Sequence, residues 1–196
     1  MVFFALGNPG ARYARTRHNF GWMAVEKLAG RLRVRLRPSP DGPWEEGQVG
    51  AGISDVLLVR PLTYMNRAGA AATALLSLRQ IPPSSLVAVY DDLDIPFGGL
   101  RLRKQGGAAG HRGMLSLIEA LGTQGFPRLR LGLGEIPFAG EAADFVLEEF
   151  GLEEWPVAER VADRAADAMQ VIAAKGFEAA MNQFNAPPAA ADEPEA

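Results

Sequence analysis

Five short runs, each suited to a strand and separated by helical patterns and polar loops, constrain the fold more than any other feature. "VFFAL" (2–6), "DVLLVRP" (55–61) and "SLVAVYDD" (85–92) are apolar enough for strands buried on both faces. "GLRLRK" (99–104) and "RLRLGLGE" (128–135) alternate, as half-exposed strands do. Asn19 stands where it can cap a helix through "FGWMAVEKLAGRLRVRL", and alanine-rich 66–80 is helical up to "IPPSS". A further helix follows "GGAAGHRG". From Glu141 the pattern is helical, with a long helix over 153–176 and a short one to Phe184. Strands alternating with helices predict an α/β sheet with helices on both faces, in one domain over 1–185. Residues 186–196 offer little to bury and read as a disordered tail.

Several classes are excluded early. No stretch reaches the roughly 18 apolar residues of a membrane span. "MVFFALGNPG" has no basic start and reads as a strand rather than a signal peptide. Cysteine is absent, which removes disulfides, thiolate metal sites and a cysteine nucleophile together. A cytoplasmic protein is expected. The net charge of −3 conceals an asymmetry: residues 1–140 carry 17 Lys and Arg against 10 Asp and Glu, whereas residues 141–196 carry 3 against 13. The first part therefore suits a basic surface, and its preference for arginine suits phosphate. A GC-rich gene produces the same bias, so charge alone leaves nucleic acid open.

In an open α/β sheet, function collects in loops beyond the carboxyl ends of the strands. Four such loops are unusually polar and hold Asn8, Tyr13, Arg17, His18, Tyr64, Asn66, Asp91, Asp92, Asp94, His111 and Arg112, including both histidines of the chain. His18 next to a carboxylate could take a proton from water, and Asp91 and Asp94 both qualify as that carboxylate. "DDLD" could instead hold Mg²⁺, but nothing nearby completes a metal site. There is no GxSxG elbow and no GxGxxG after the first strand. What remains is a histidine that activates water, with asparagine amides to bind a carbonyl or oxyanion.

"GNPGARYARTRHNFG", "PLTYMNRAG", "YDDLDIPFG", "GGAAGHRGM" and "RLRLGLG", in that order, resemble the bacterial peptidyl-tRNA hydrolase family from Val2 to about Asn185. The resemblance implies a monomer with a twisted mixed β-sheet flanked by helices, using no metal or cofactor. It implies cleavage of the ester joining a stalled peptide to the terminal ribose of tRNA. His18 would be the general base and Asp91 its partner. Asn8 would bind the peptide backbone and discriminate N-blocked from free aminoacyl-tRNA. Asn66, Tyr13 and Tyr64 would contact the substrate.

The family commonly reads GGHGGHNG where this chain has "QGGAAGHRG". Arg112 thus replaces an asparagine, a permanent cation in place of an amide, suited to terminal phosphates; His111 would position the loop. Arg101, Arg103, Lys104, Arg128 and Arg130 are the expected basic RNA surface. Two rivals stand beside this reading: an RNA-binding relative without catalysis, and a different esterase or peptidase.

Overall fold

The computed structural model describes residues 1–49, 56–136 and 142–186. Strands β1 (Val2–Ala5), β2 (Arg37–Pro38), β3 (Trp44–Gln48), β4 (Leu57–Pro61), β5 (Leu86–Asp92), β6 (Leu100–Arg103) and β7 (Arg128–Gly132) form one sheet in the order β2-β3-β4-β1-β5-β7-β6. β4, β1, β5 and β7 run parallel, while β2, β3 and β6 join antiparallel. The helices are α1 (Phe20–Arg31), α2 (Ala68–Arg79), α3 (Arg112–Leu121), α4 (Ala142–Leu147), α5 (Trp155–Lys175) and α6 (Phe177–Phe184).

Side-chain alternation along each strand divides the core between the two faces. Phe3, Ala5, Val87, Val89, Leu129 and Leu131 pack under α1, α5 and α6. Val2, Phe4, Val59, Ala88 and Tyr90 pack under α2 and α3. Every residue of β1 and β5 is buried, which is why these strands read as continuous apolar runs. The fold is thus a mixed α/β sheet covered on both faces.

Three boundaries differ from expectation. α1 stops at Arg31 instead of running to Leu36, and Arg33 has a φ of 54°. Beyond it Val34 and Leu36 turn inward between exposed Arg33, Arg35 and Arg37, a period of two that belongs to a strand. β3 went unread because "WEEGQ" carries two glutamates; Glu45 lies opposite Arg60 on β4 and accepts its Nε–H at 2.8 Å. The acidic stretch after Glu141 breaks into α4 and α5. Asp55, residues 137–141 and residues 187–196, and with them nearly all of the expected tail, lie outside the described residues.

Candidate active site

The carboxyl ends of β1, β4 and β5 open into one cleft of about 630 Å³. Asn8, Tyr13, His18, Tyr64, Asn66, Asp91 and Arg112 all line it, so four loops far apart in sequence supply one site. His18 lies in a 3-10 turn, Arg17–Asn19, immediately before α1. Gly21 allows that placement: a Cβ there would lie 2.2 Å from the Val89 carbonyl oxygen. Only a residue without a side chain lets the first turn of α1 settle on the backbone of β5.

That contact brings His18 Nδ1 to 2.9 Å from Asp91 Oδ2 and 3.1 Å from Oδ1. His111 reaches the same carboxylate, with Nε2 3.0 Å from Oδ1. The tautomers follow from the neighbours. His111 Nδ1 accepts the backbone N–H groups of Gly113 and Met114, capping α3, so the ring proton is on Nε2 and is donated to Asp91. His18 donates from Nδ1 to Asp91, which leaves Nε2 as a free acceptor on a residue that lines the cleft.

Asp91 is only 2% exposed. Burial pushes its carboxyl up, but the electrostatic attraction of His18 and His111 and the hydrogen bonds they donate more than offset this and hold it well below the usual carboxylate range. Tyr90, whose hydroxyl is pushed up to about 12 by burial and by Asp92, packs the edge of this group at 4.9 Å from His111. His18, Asp91 and His111 are also the one group among the described residues spaced to hold a metal ion. The separations of each histidine from the carboxylate, 2.9–3.1 Å, are those of N–H···O hydrogen bonds.

Asn8 is aimed by its neighbours. Asn19 caps nothing with its side chain, contrary to expectation. Its Oδ1 accepts the Asn8 N–H at 2.7 Å, and its Nδ2 donates to the Asn8 carbonyl at 3.0 Å. Asn8 Oδ1 accepts the Met65 N–H at 2.9 Å, leaving the Asn8 amide N–H groups for a carbonyl in the cleft. Asn66 and Tyr64 are exposed on the cleft rim, Tyr64 by 54%. Arg112, the first residue of α3, is exposed beside them.

Of the two aspartates that qualified, Asp91 meets His18. Asp94 is exposed and pairs with Arg130. The expected basic surface contracts. Arg128 is not on the surface: it is 2% exposed, donating to the carbonyls of Gly107 at 2.8 Å and Gln124 at 3.1 Å, so it braces the glycine-rich loop from below. Arg130 donates to Asp92 at 2.5 Å, and Lys104 pairs with Glu178. Arg101 and Arg103 remain exposed on β6. Part of the basic excess of residues 1–140 is neutralised internally, because Lys27 and Arg31 pair with Glu159, Asp163 and Asp167 of α5.

Sequence reasoning gave His111 only a loop-positioning role and missed its bond to Asp91. It allowed for a C-terminal helix over the cleft but named none of Ala142, Ala143, Val146 and Leu147 of α4, which build a wall beside His18. The only available signal was two histidines and one apolar-acidic segment with no stated partner.

Comparison with known proteins supplies the family. The model of the family described as peptidyl-tRNA hydrolase matches residues 2–193. A peptidyl-tRNA hydrolase of Chloroflexus aggregans is 47% identical over 188 residues, covering 94% of this chain and 98% of that protein. One from Roseiflexus castenholzii is 44% identical over 189 residues, covering 95% and 87%. The crystal structure of peptidyl-tRNA hydrolase from Acinetobacter baumannii matches with a TM-score of 0.87 at 33% identity, over 94% of each chain. Matched over nearly its whole length in both sequence and fold, the chain belongs to the peptidyl-tRNA hydrolase family.

Proposed function

We propose that this chain hydrolyses the ester between a peptide and the terminal ribose of tRNA, with His18 as general base. The observation that carries it is the 2.9 Å contact of His18 Nδ1 with the buried Asp91 carboxylate; because a carboxylate only accepts, the proton belongs on Nδ1 and Nε2 is the nitrogen left to take a proton from water. As the proton moves to Nε2, the water oxygen bonds to the ester carbonyl carbon and the carbonyl electrons move onto oxygen. In this reading Asn8 donates its amide N–H to a carbonyl of the peptide, the contact that a blocked amino terminus supplies and a free aminoacyl group lacks. When the oxyanion collapses, the bond to the ribose oxygen breaks and the imidazolium returns its proton to that oxygen. The products are a peptide acid and free tRNA.

Asn66, Tyr13 and Tyr64 line the approach to His18 and suit the RNA end and the residue it carries. Arg112 at the rim, with Arg101 and Arg103 on β6, suits the phosphates. Sequence-independent backbone contacts fit an enzyme that accepts many tRNAs. In this reading residues 1–185 work as one domain and as a monomer, without metal or cofactor, in the cytoplasm where tRNA is used. Among the described residues no helix is long and apolar enough to cross a membrane.

Single-turnover hydrolysis of an N-acetylated aminoacyl-tRNA tests the reading. His18→Ala should slow the chemical step by about 10²–10⁴-fold while tRNA binding survives. A wild type that binds the substrate and leaves the ester intact would turn the reading to an RNA-binding protein.

A further inference from the structure

α4 has six residues, too few to hold a helix in place by itself, yet it forms one wall of the cleft. Its anchor is the residue next to the general base. The guanidinium of Arg17 is buried, donating from Nη1 to the Phe145 carbonyl at 3.2 Å and to Glu148 at 3.3 Å, and from Nη2 to Glu154 at 2.7 Å. Its face lies 4.2 Å from the centre of the Phe145 ring. The backbone adds two bonds: Arg17 N–H to the Glu148 carbonyl at 3.0 Å, and Phe150 N–H to the Arg15 carbonyl at 3.2 Å.

Of its two carboxylates, Glu154 is the stronger partner, because its side chain is 35% exposed against 56% for Glu148. Glu154 also accepts the Gly151 N–H at 2.7 Å, so the group that holds Arg17 closes the turn between α4 and α5. Burying a guanidinium is costly unless it is fully bonded, and an apolar side chain would fill the same space. What the arginine adds is direction. Its planar fork fixes the end of α4 at a set distance from the turn that carries His18.

We infer that Arg17 is a positioning residue that, through Glu154 and the Phe145 carbonyl, sets the width of the cleft between His18 and the apolar wall of Val146 and Leu147, where the acyl side chain of the substrate packs. This rests on the hydrolytic reading above for its substrate and deepens it. The charge of Arg17 takes no part in the chemistry; its effect is on how an apolar acyl group is held.

Arg17→Lys keeps the charge and loses the fork; Glu154→Gln keeps the shape and loses the charge. Each should speed amide hydrogen exchange across 142–150. Each should raise KM for N-acetyl-phenylalanyl-tRNA about tenfold, the order of one lost charge-assisted hydrogen bond. KM for N-acetyl-glycyl-tRNA should rise less, and kcat and the pH–rate profile should stay as in the wild type. Unchanged exchange, an equal loss on both substrates, or a fall in kcat at constant KM would overturn the assignment. Should Arg17→Lys fail to fold, Glu154→Gln carries the test. Exchange is measured without substrate, so this arm decides the anchoring role even if the wild type proves unable to hydrolyse peptidyl-tRNA, an outcome that would count against the proposed activity instead.

Discussion

Replacing Asp91 by asparagine should stop the reaction by moving a proton on His18, without emptying the cleft. An amide offers one acceptor and one donor where the carboxylate offered two acceptors. His111 cannot adapt, because its Nδ1 is held as an acceptor by the N–H groups of Gly113 and Met114 at 3.1 and 3.2 Å. Its Nε2–H therefore claims the amide oxygen. The amide NH₂ then faces His18 Nδ1, which must give up its proton to accept that bond. The proton moves to Nε2, the nitrogen needed as base. Losing a general base costs about 10²–10⁴ in rate, or about 3–5 kcal/mol of barrier. Single-turnover hydrolysis of an N-acetylated aminoacyl-tRNA at saturating enzyme reads this directly, with tRNA binding measured in parallel. The tautomer argument makes a sharper demand. Adding His111→Ala to Asp91→Asn frees the amide oxygen for His18 and should recover about tenfold of the lost rate. A double variant as slow as the single one, or an Asp91→Asn enzyme within about tenfold of the wild type, would refute it.

Other expectations concern stability and salt. Because the Asp91 carboxyl is held below its ordinary value in the folded protein, its stabilising contribution is present above the unfolded value of about 4 and is lost as pH falls towards the folded value. Urea unfolding of wild type and Asp91→Asn between pH 6 and pH 3 should show the wild type losing ground to the variant as pH drops; a gap that does not change with pH contradicts this. Gly21→Ala places a methyl 2.2 Å from the Val89 oxygen and should cost about 1–3 kcal/mol, lowering Tm by several degrees and slowing hydrolysis as the turn bearing His18 shifts. An unaltered Tm would mean that α1 can slide off β5 freely. Arg112→Asn should reduce the salt dependence of tRNA binding, by about 0.7–0.9 in the slope of log K against log salt. An unchanged slope removes Arg112 from the phosphates.

Much of the site was legible because its residues lie in strand-to-helix loops, where polar side chains have no core to fill. His18, Asn8, Asn66 and Tyr64 stand out there as exceptions to the apolar pattern, and all of them reach one cleft. Arg128 misled for the opposite reason. It sits in an alternating strand, where period two predicts an outward side chain, but the glycine-rich loop closes over it and supplies carbonyls that only the folded chain brings near. The alternation of "RVRLR" (33–37) leads into the edge strand β2, of which it holds only Arg37, and was hidden by the helical segment running into it. β3 carries glutamates whose partners, Arg60 and Arg79, lie on β4 and α2, so its composition looks like a loop until the sheet is assembled.

Local periodicity and turn chemistry in the sequence determined the layers: which segments are strands, which faces are apolar, and that a rare histidine stands at the mouth of the sheet. Those properties depend on neighbours within a few residues. The choice between Asp91 and Asp94 as read from the residues, the second histidine on the same carboxylate and the burial of Arg17 beneath α4 depend on contacts across 73, 20 and 128 positions of chain. No local rule carries that information. The order of strands in the sheet and the close seat of Gly21 on β5 decided it, because a hydrogen bond forms only where packing brings donor and acceptor within about 3 Å.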